Sequence, residues 1–166
     1  DCLLSRGLGD VYKRQLKDKD ATYLATLREL CPGVEAMIRA PFYCDYGYNI
    51  SIGKGSYVNF NCVFLDLGPI RLGQRCLIGP GVQLLTAVHP MDATERATGK
   101  EKGAGIEIGD DCWLGGGVIV CPGVAIGDRS VIGAGAVVTR DIPADSVAVG
   151  NPARVIRTLT RQDETE

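Results

Sequence analysis

From residue 108 the chain repeats every six residues: "IGDDCW", "LGGGVI", "VCPGVA", "IGDRSV", "IGAGAV", "VTRDIP". The first position is always aliphatic (Ile108, Leu114, Val120, Ile126, Ile132, Val138). The second is nearly always small (Gly109, Gly115, Cys121, Gly127, Gly133, Thr139), and the fifth is mostly small or β-branched (Cys112, Val118, Val124, Ser130, Ala136, Ile142). The same frame governs "LGQRCL" from Leu72 and "IGPGVQ" from Ile78 up to Leu84, and, earlier, "IGKGSY" from Ile52 and "VNFNCV" from Val58. A helix of about 3.6 residues per turn cannot use a period of six, and a plain alternating strand has a period of two. A large inward aliphatic followed by a glycine corner describes a short strand and a tight turn. Such units stack into a parallel β-solenoid, each rung burying its aliphatic against its neighbours. Glycine suits the corners because it tolerates backbone angles that other residues resist. With aliphatics filling about a quarter to a third of positions, six in a row at position one arise by chance about once in a thousand trials or less.

Composition agrees. The 166 residues suit one domain, and 22 glycines with only 6% aromatics favour a regular backbone packed with small side chains. A net charge of −2 without a basic stripe argues against nucleic acid and anionic membranes as partners. No apolar run approaches the roughly 20 residues that span a bilayer. Cysteines stand at 2, 31, 44, 62, 76, 112 and 121, odd in number and without a CxxC pair. This pattern points to a reduced cytoplasm, with the cysteines as small core residues. One histidine and no paired cysteine make a metal site improbable.

Three segments follow. Residues 1–15, "DCLLSRGLGDVYKRQ", resemble the translated read-through of a sequencing adapter and are expected to be foreign or a disordered tail. Residues 16–40 are expected to hold a short helix and a lead-in, with Ala21, Leu24, Leu27 and Leu30 on one face, Asp18 or Asp20 as cap and "CPG" as stop. Residues 41–166 form the solenoid and a C-terminal tail.

The repeat breaks once at length. From Leu84 to the next leader, Ile108, the chain runs 24 residues through the polar, glycine-containing "VHPMDATERATGKEKGAG". This reads as a loop thrown out from one corner, and long loops on rigid scaffolds tend to carry function. It contains the only histidine, His89, which Pro90 biases towards an extended backbone.

The stretches "FYCDYGYNISIG" (42–53), "VNFNCVFLD" (58–66), "IRLGQRCLIGPGV" (70–82), "TAVHPMD" (86–92), the repeat of 106–143 and "GNPARVIR" (150–157) together resemble the maltose and galactoside O-acetyltransferases over residues 20–160. These are hexapeptide-repeat acyltransferases. The resemblance implies a left-handed parallel β-helix with three hexads per turn, against the usual right-handed preference. It also implies a homotrimer that binds acetyl-CoA between neighbouring prisms. Relatives carry a longer N-terminal helical segment with an acidic sugar contact. Here that region is the adapter-like tail, so acceptor binding is expected to be incomplete.

The expected reaction moves an acetyl group from acetyl-CoA to a hydroxyl of a maltose-, glucose- or galactoside-type sugar. An alcohol attacks a thioester well only when its proton is accepted as the bond forms. Histidine suits this with an ordinary pKa near ~6.5. Proximity to the break and the resemblance both assign the role of base to His89, in direct attack without an acyl-enzyme. Asp92 or a backbone carbonyl is the candidate for orienting its ring. "LGGGV" offers backbone N–H groups to the oxyanion, and the resemblance selects Gly116; the same glycines serve as corners. Arg140, Arg154 and Arg157 are candidates for the coenzyme phosphates. By family correspondence Ala134 and Thr139 lie along the coenzyme, and Trp113 either lines its groove or packs at the trimer interface. Asn59, Asp66 and Asp45 match acceptor-side positions; Asp66 stands where the frame slips by two residues before Leu72.

Two other readings use the same scaffold. A γ-type carbonic anhydrase needs three histidine ligands and is excluded by the single one here. A xenobiotic O-acetyltransferase differs only in its acceptor contacts. A bare solenoid scaffold predicts an unbroken repeat, no histidine at the break and no terminal arginine pair, so only a truncated, inactive solenoid survives among non-enzymes.

Overall fold

The computed structural model describes residues 21–160; the adapter-like stretch, Asp18 and Asp20 lie outside these. The chain winds into a left-handed parallel β-helix of about six coils with three faces. Strands Ile50–Ile52, Ile70–Leu72, Ile106–Ile108 and Ala125–Ile126 stack on the first face. Tyr57–Val58, Leu77–Ile78, Trp113–Leu114 and Val131–Ile132 stack on the second, and Cys62–Leu65, Gln83–Leu85, Ile119–Val120 and Val137–Val138 on the third. The hexad leaders are in register from coil to coil: Ile52–Leu72–Ile108–Ile126, then Val58–Ile78–Leu114–Ile132, then Phe64–Leu84–Val120–Val138. All are buried. Each such side chain withdrawn from water is worth about 1.5–3 kcal/mol before ordering costs, so the columns are the main source of cohesion.

The fifth hexad position does more than fill space. Ser56 Oγ donates to the Gly73 carbonyl of the next coil (2.9 Å), Cys76 Sγ to Gly109 (3.1 Å), Cys112 Sγ to Gly127 (3.2 Å) and Ser130 Oγ to Pro143 (2.9 Å). Cys76 and Cys112 are therefore both core residues and donors that tie one coil to the next.

The corner between the first and second faces carries a second ladder. Arg75, Asp111, Arg129 and Asp145 all adopt left-handed backbone angles, with φ of 55–57°. Such angles are uncommon outside glycine. Their side chains alternate in charge and pair: Arg75 with Asp111 (2.6 and 2.7 Å), Arg129 with Asp145 (2.8 Å through Nη2). Hydrogen bonds from the arginines hold the Asp111 and Asp145 carboxyls below their ordinary range. A carboxyl depressed on folding contributes stability above its ordinary pKa, and that contribution disappears as pH falls through the depressed value. Asp111→Asn should therefore lower the melting temperature slightly at pH 7. The gap to the unmodified protein should close in a thermal titration carried down to pH 2, while a gap that persists at pH 2 would place the effect elsewhere.

Two boundaries differ from the sequence expectation. The solenoid begins at Gly33, not at 41. Gly33–Val34 pairs with Ser51–Ile52, and Met37–Ile38 with Tyr57–Val58. The first coil moves from Val34 to Ile38 in four residues, which removes it from a six-residue frame. At the other end Ile142, fifth in its hexad, bridges Ile126 and so takes a leader's place. The expected helix spans Ala21–Leu30. It docks through Tyr23 and Leu27, both buried, and the Tyr23 hydroxyl donates to the Ile38 carbonyl (2.9 Å).

Corner length varies almost entirely along one edge. Second to third face takes six residues in every coil (Val58 to Phe64, Ile78 to Leu84, Leu114 to Val120, Ile132 to Val138). Third to first takes eight from Phe64 to Leu72, twenty-four from Leu84 to Ile108, six from Val120 to Ile126 and four from Val138 to Ile142.

Candidate active site

The twenty-four-residue corner is a hairpin. Ala87–Val88 pairs antiparallel with Lys102–Gly103, and a four-residue helix, Ala93–Arg96, forms its tip. The root is fixed to the coil beneath. Thr86 Oγ1 donates to the Leu65 carbonyl (2.6 Å) and accepts from Gly68 N–H (2.8 Å), and Ala104 N–H donates to the Thr86 carbonyl (2.8 Å).

His89 stands where the outgoing strand leaves the root. Its side chain is 55% exposed, and Nε2 lies 3.7 Å from Glu101 Oε2 on the returning arm. Both border a concave space of about 440 Å³ with Pro90, Met91 and Glu95. Asp92 does not orient the ring: its Oδ1 accepts from Glu95 N–H (2.8 Å) as the cap of the tip helix. The carboxylate at the imidazole is Glu101. Pairing of Val88 with Lys102 sets 89 opposite 101, a relation visible only once the hairpin register is known.

Asp66 is corrected from a direct acceptor contact to a support. It is wholly buried. Its two oxygens accept from the N–H groups of Asp45 (3.1 Å), Tyr46 (2.9 Å), Gly47 (2.8 Å) and Asn49 (3.2 Å), and Asn49 Nδ2 donates to its carbonyl (2.9 Å). Asp45, in the loop so held, is exposed. Partial burial, then the charges of Asp66 and Glu101, raise its carboxyl above the ordinary value. Asp45 thus lies within the field of the residue that faces His89.

The remaining candidates fall elsewhere on the prism. Asn59 sits half-buried at the edge between second and third faces, with Oδ1 accepting from Phe60 N–H (2.9 Å). Gly116 shares that edge, two coils on. Its corner stacks between those of Pro80 and Ala134, through Gly117 N–H to the Pro80 carbonyl (2.8 Å) and Gly135 N–H to the Gly116 carbonyl (2.9 Å). A Cβ on Gly115 would lie 2.6 Å from Ala134 N, so this close approach requires glycine. Ala134 is exposed on the same edge, whereas exposed Thr139 and Arg140 follow Val138 onto the hairpin's edge. Arg154 and Arg157 are exposed on the strand Arg154–Thr158, which turns back antiparallel on Ser146–Val149. Arg154 Nη1 donates to the Ala153 carbonyl (2.8 Å). Trp113 projects from the second face in register with Leu77 and Val131. One prism therefore brings together His89, Glu101 and Asp45, and leaves Asn59, Gly116 and Ala134 on the next edge. Among the described residues no group of three His, Cys, Asp or Glu side chains is placed to hold a metal ion.

The bacterial transferase hexapeptide (six repeats) family model matches residues 105–140. Nodulation protein L of Rhizobium meliloti is 53% identical over 129 residues, 78% of this chain and 69% of that protein. A maltose O-acetyltransferase structure from Clostridium difficile 630 superposes with a TM-score of 0.87 at 42% identity, covering 97% of this chain and 90% of that one. A galactoside acetyltransferase in complex with coenzyme A gives 0.89 at 36% identity, over 99% and 87%. The chain belongs to the hexapeptide-repeat acetyltransferase family. It spans between 60% and 69% of the length of the curated relatives it matches.

Proposed function

We propose that the chain transfers the acetyl group of acetyl-CoA to a hydroxyl of a sugar, with His89 as general base. The observation that carries this reading is the His89–Glu101 pair at the root of a hairpin pinned to a rigid coil. The sugar hydroxyl oxygen attacks the thioester carbonyl as His89 takes its proton. The Gly116 N–H supports the oxyanion of the tetrahedral intermediate. The C–S bond then breaks, and His89 returns the proton to the departing thiolate. Glu101 holds the ring and favours its transient positive charge. Asp45 and Asn59 contact the acceptor. Ala134, Thr139, Arg140, Arg154 and Arg157 hold the coenzyme. The sugar assignment draws support from the maltose and galactoside enzymes of similar fold.

The separation of His89 from Gly116 and Asn59 favours a homotrimer in which one prism's hairpin meets its neighbour's glycine edge. On the outer second face Met37, Leu77 and Trp113 are each more than half exposed, and Tyr57 stands in register between the first two. Such an apolar row suits a subunit interface. Trp113→Glu should convert the trimer to monomers in analytical ultracentrifugation and abolish turnover. A trimeric, active variant would exclude Trp113 from the interface. The described cysteines are free thiols, in keeping with a cytoplasmic protein.

The direct test follows free thiol release from acetyl-CoA with glucose, maltose, a galactoside and an antibiotic alcohol as acceptors. Release with a sugar supports the reading. Release with the antibiotic alone transfers the protein to the xenobiotic class, and coenzyme binding without release to any acceptor marks an inactive solenoid.

A further inference from the structure

The loop Asp45–Asn49 is held at its backbone by a buried carboxylate. Four N–H groups converge on Asp66. Gly47, at φ +86°, is pressed so closely beneath the helix that a Cβ would lie 2.5 Å from the Leu30 carbonyl oxygen and 3.0 Å from Cys31 Sγ. Yet this loop presents a large aromatic ring to solvent. Tyr48 is 63% exposed. Its ring stands 5.4 Å from that of Tyr46, tilted by 38°. Among the described residues, the other apolar side chains more than half exposed lie on the second face (Met37, Leu77, Trp113), at the hairpin tip (Met91) or on the terminal strand (Ile156).

The loop shares its edge with the hairpin. Asp66, which anchors it, opens the corner of the second coil, and Gly68 in that corner is bonded to Thr86 at the hairpin root. The Tyr48 loop and the His89 root are thus two coils apart, about 10 Å at the usual strand spacing. Asp45, three residues before Tyr48, feels the charge of Glu101.

Building on the sugar acetyltransferase reading, we propose that Tyr48 is the stacking platform for the acceptor, its ring receiving the apolar C–H face of a pyranose while Asp45 takes hydroxyls at the ring's rim. A pyranose has one face of axial C–H groups and a rim of hydroxyls. An aromatic ring beside a carboxylate matches both, and a loop whose backbone is already pinned loses little freedom on binding. Tyr48 thereby selects acceptors large enough to reach from the attacking hydroxyl to the loop, favouring a disaccharide over a monosaccharide.

The test compares the unmodified protein, Tyr48→Ala and Tyr48→Phe with maltose and glucose as acceptors, each checked for assembly by ultracentrifugation. Tyr48→Ala should raise the maltose KM about three- to tenfold, leave the acetyl-CoA KM and kcat nearly unchanged, and affect glucose less. Tyr48→Phe should restore the maltose KM, because stacking needs the ring and not the hydroxyl. In saturation-transfer NMR, maltose C–H signals should appear with the unmodified protein and weaken with Tyr48→Ala. An unchanged maltose KM in Tyr48→Ala, an equal rise in Tyr48→Phe, or dissociation of the assembly each overturns the platform while leaving the sugar reading intact. An unmodified protein that neither acetylates sugars nor shows saturation transfer overturns both.

Discussion

His89→Ala is expected to lower kcat/KM for sugar acetylation by about 10²–10⁴-fold, the range for loss of a positioned general base. Coenzyme binding should stay intact, because the ring sits on the hairpin and not among the coenzyme candidates. The loss should fall on kcat, since an uncatalysed hydroxyl retains its proton at the moment of attack. Glu101→Gln gives a graded comparison. Glu101 Oε2 lies 3.7 Å from His89 Nε2 with both side chains partly in solvent, so screening weakens the contact, and a loss of about tenfold is expected. Stopped-flow thiol release over several turnovers measures both variants. Full activity in His89→Ala would remove the imidazole from the chemistry, and equal losses in both would make the pair an inseparable unit.

The largest effect on stability is expected at Asp66. Asp66→Ala leaves four backbone N–H groups without their acceptor, Gly47 in a buried bond and Asp45, Tyr46 and Asn49 in partly buried ones. Each orphaned donor costs about 1–3 kcal/mol if water cannot reach it. Relaxation of the loop recovers part of that, so a net loss of about 3–5 kcal/mol is expected, in line with breaking a buried charge network. For a chain of this size the melting temperature should fall by roughly 10 °C or more. Asp66→Asn keeps one accepting oxygen and sets its NH₂ against two of the donors, so it should fall in between. Differential scanning calorimetry of the three proteins decides the matter. Melting temperatures within 2 °C of one another would mean that the loop is held by something else. Acceptor KM should rise in step with the loss of stability, because Asp45 and Tyr48 ride on this corner.

The columns of Ile108, Leu114 and Val120 and their equivalents were legible in the sequence because burial in a solenoid depends on spacing alone, and spacing is what a sequence records. The hairpin was legible as an interruption of that spacing. Val34 and Ile38 were not, because a four-residue corner carries no hexad signature even though it builds the same coil. Glu101 was missed for a different reason. Its place beside His89 depends on antiparallel register within the hairpin, and neither arm has a pattern that sets that register in advance. Asp66 was seen as unusual through the two-residue slip of the frame. Its direction, inward to four amides and not outward to a ligand, is a property of backbone closure that composition does not carry. The division of the candidates between two edges follows from the same cause, since the repeat gives the order of corners but not which neighbour each will meet.

One consequence follows from the uneven corners. The second-to-third edge keeps a fixed length of six in every coil, and it carries the stacked turns of Pro80, Gly116 and Gly135. The third-to-first edge accepts anything from four residues to twenty-four. The molecule therefore concentrates its variation in corner length on one edge. Segments can be lengthened, shortened or exchanged along a single seam, provided that the short corner carrying Thr139 and Arg140 is kept. For protein engineering this makes the scaffold a chassis with one open port, into which loops can be grafted without renegotiating the fold.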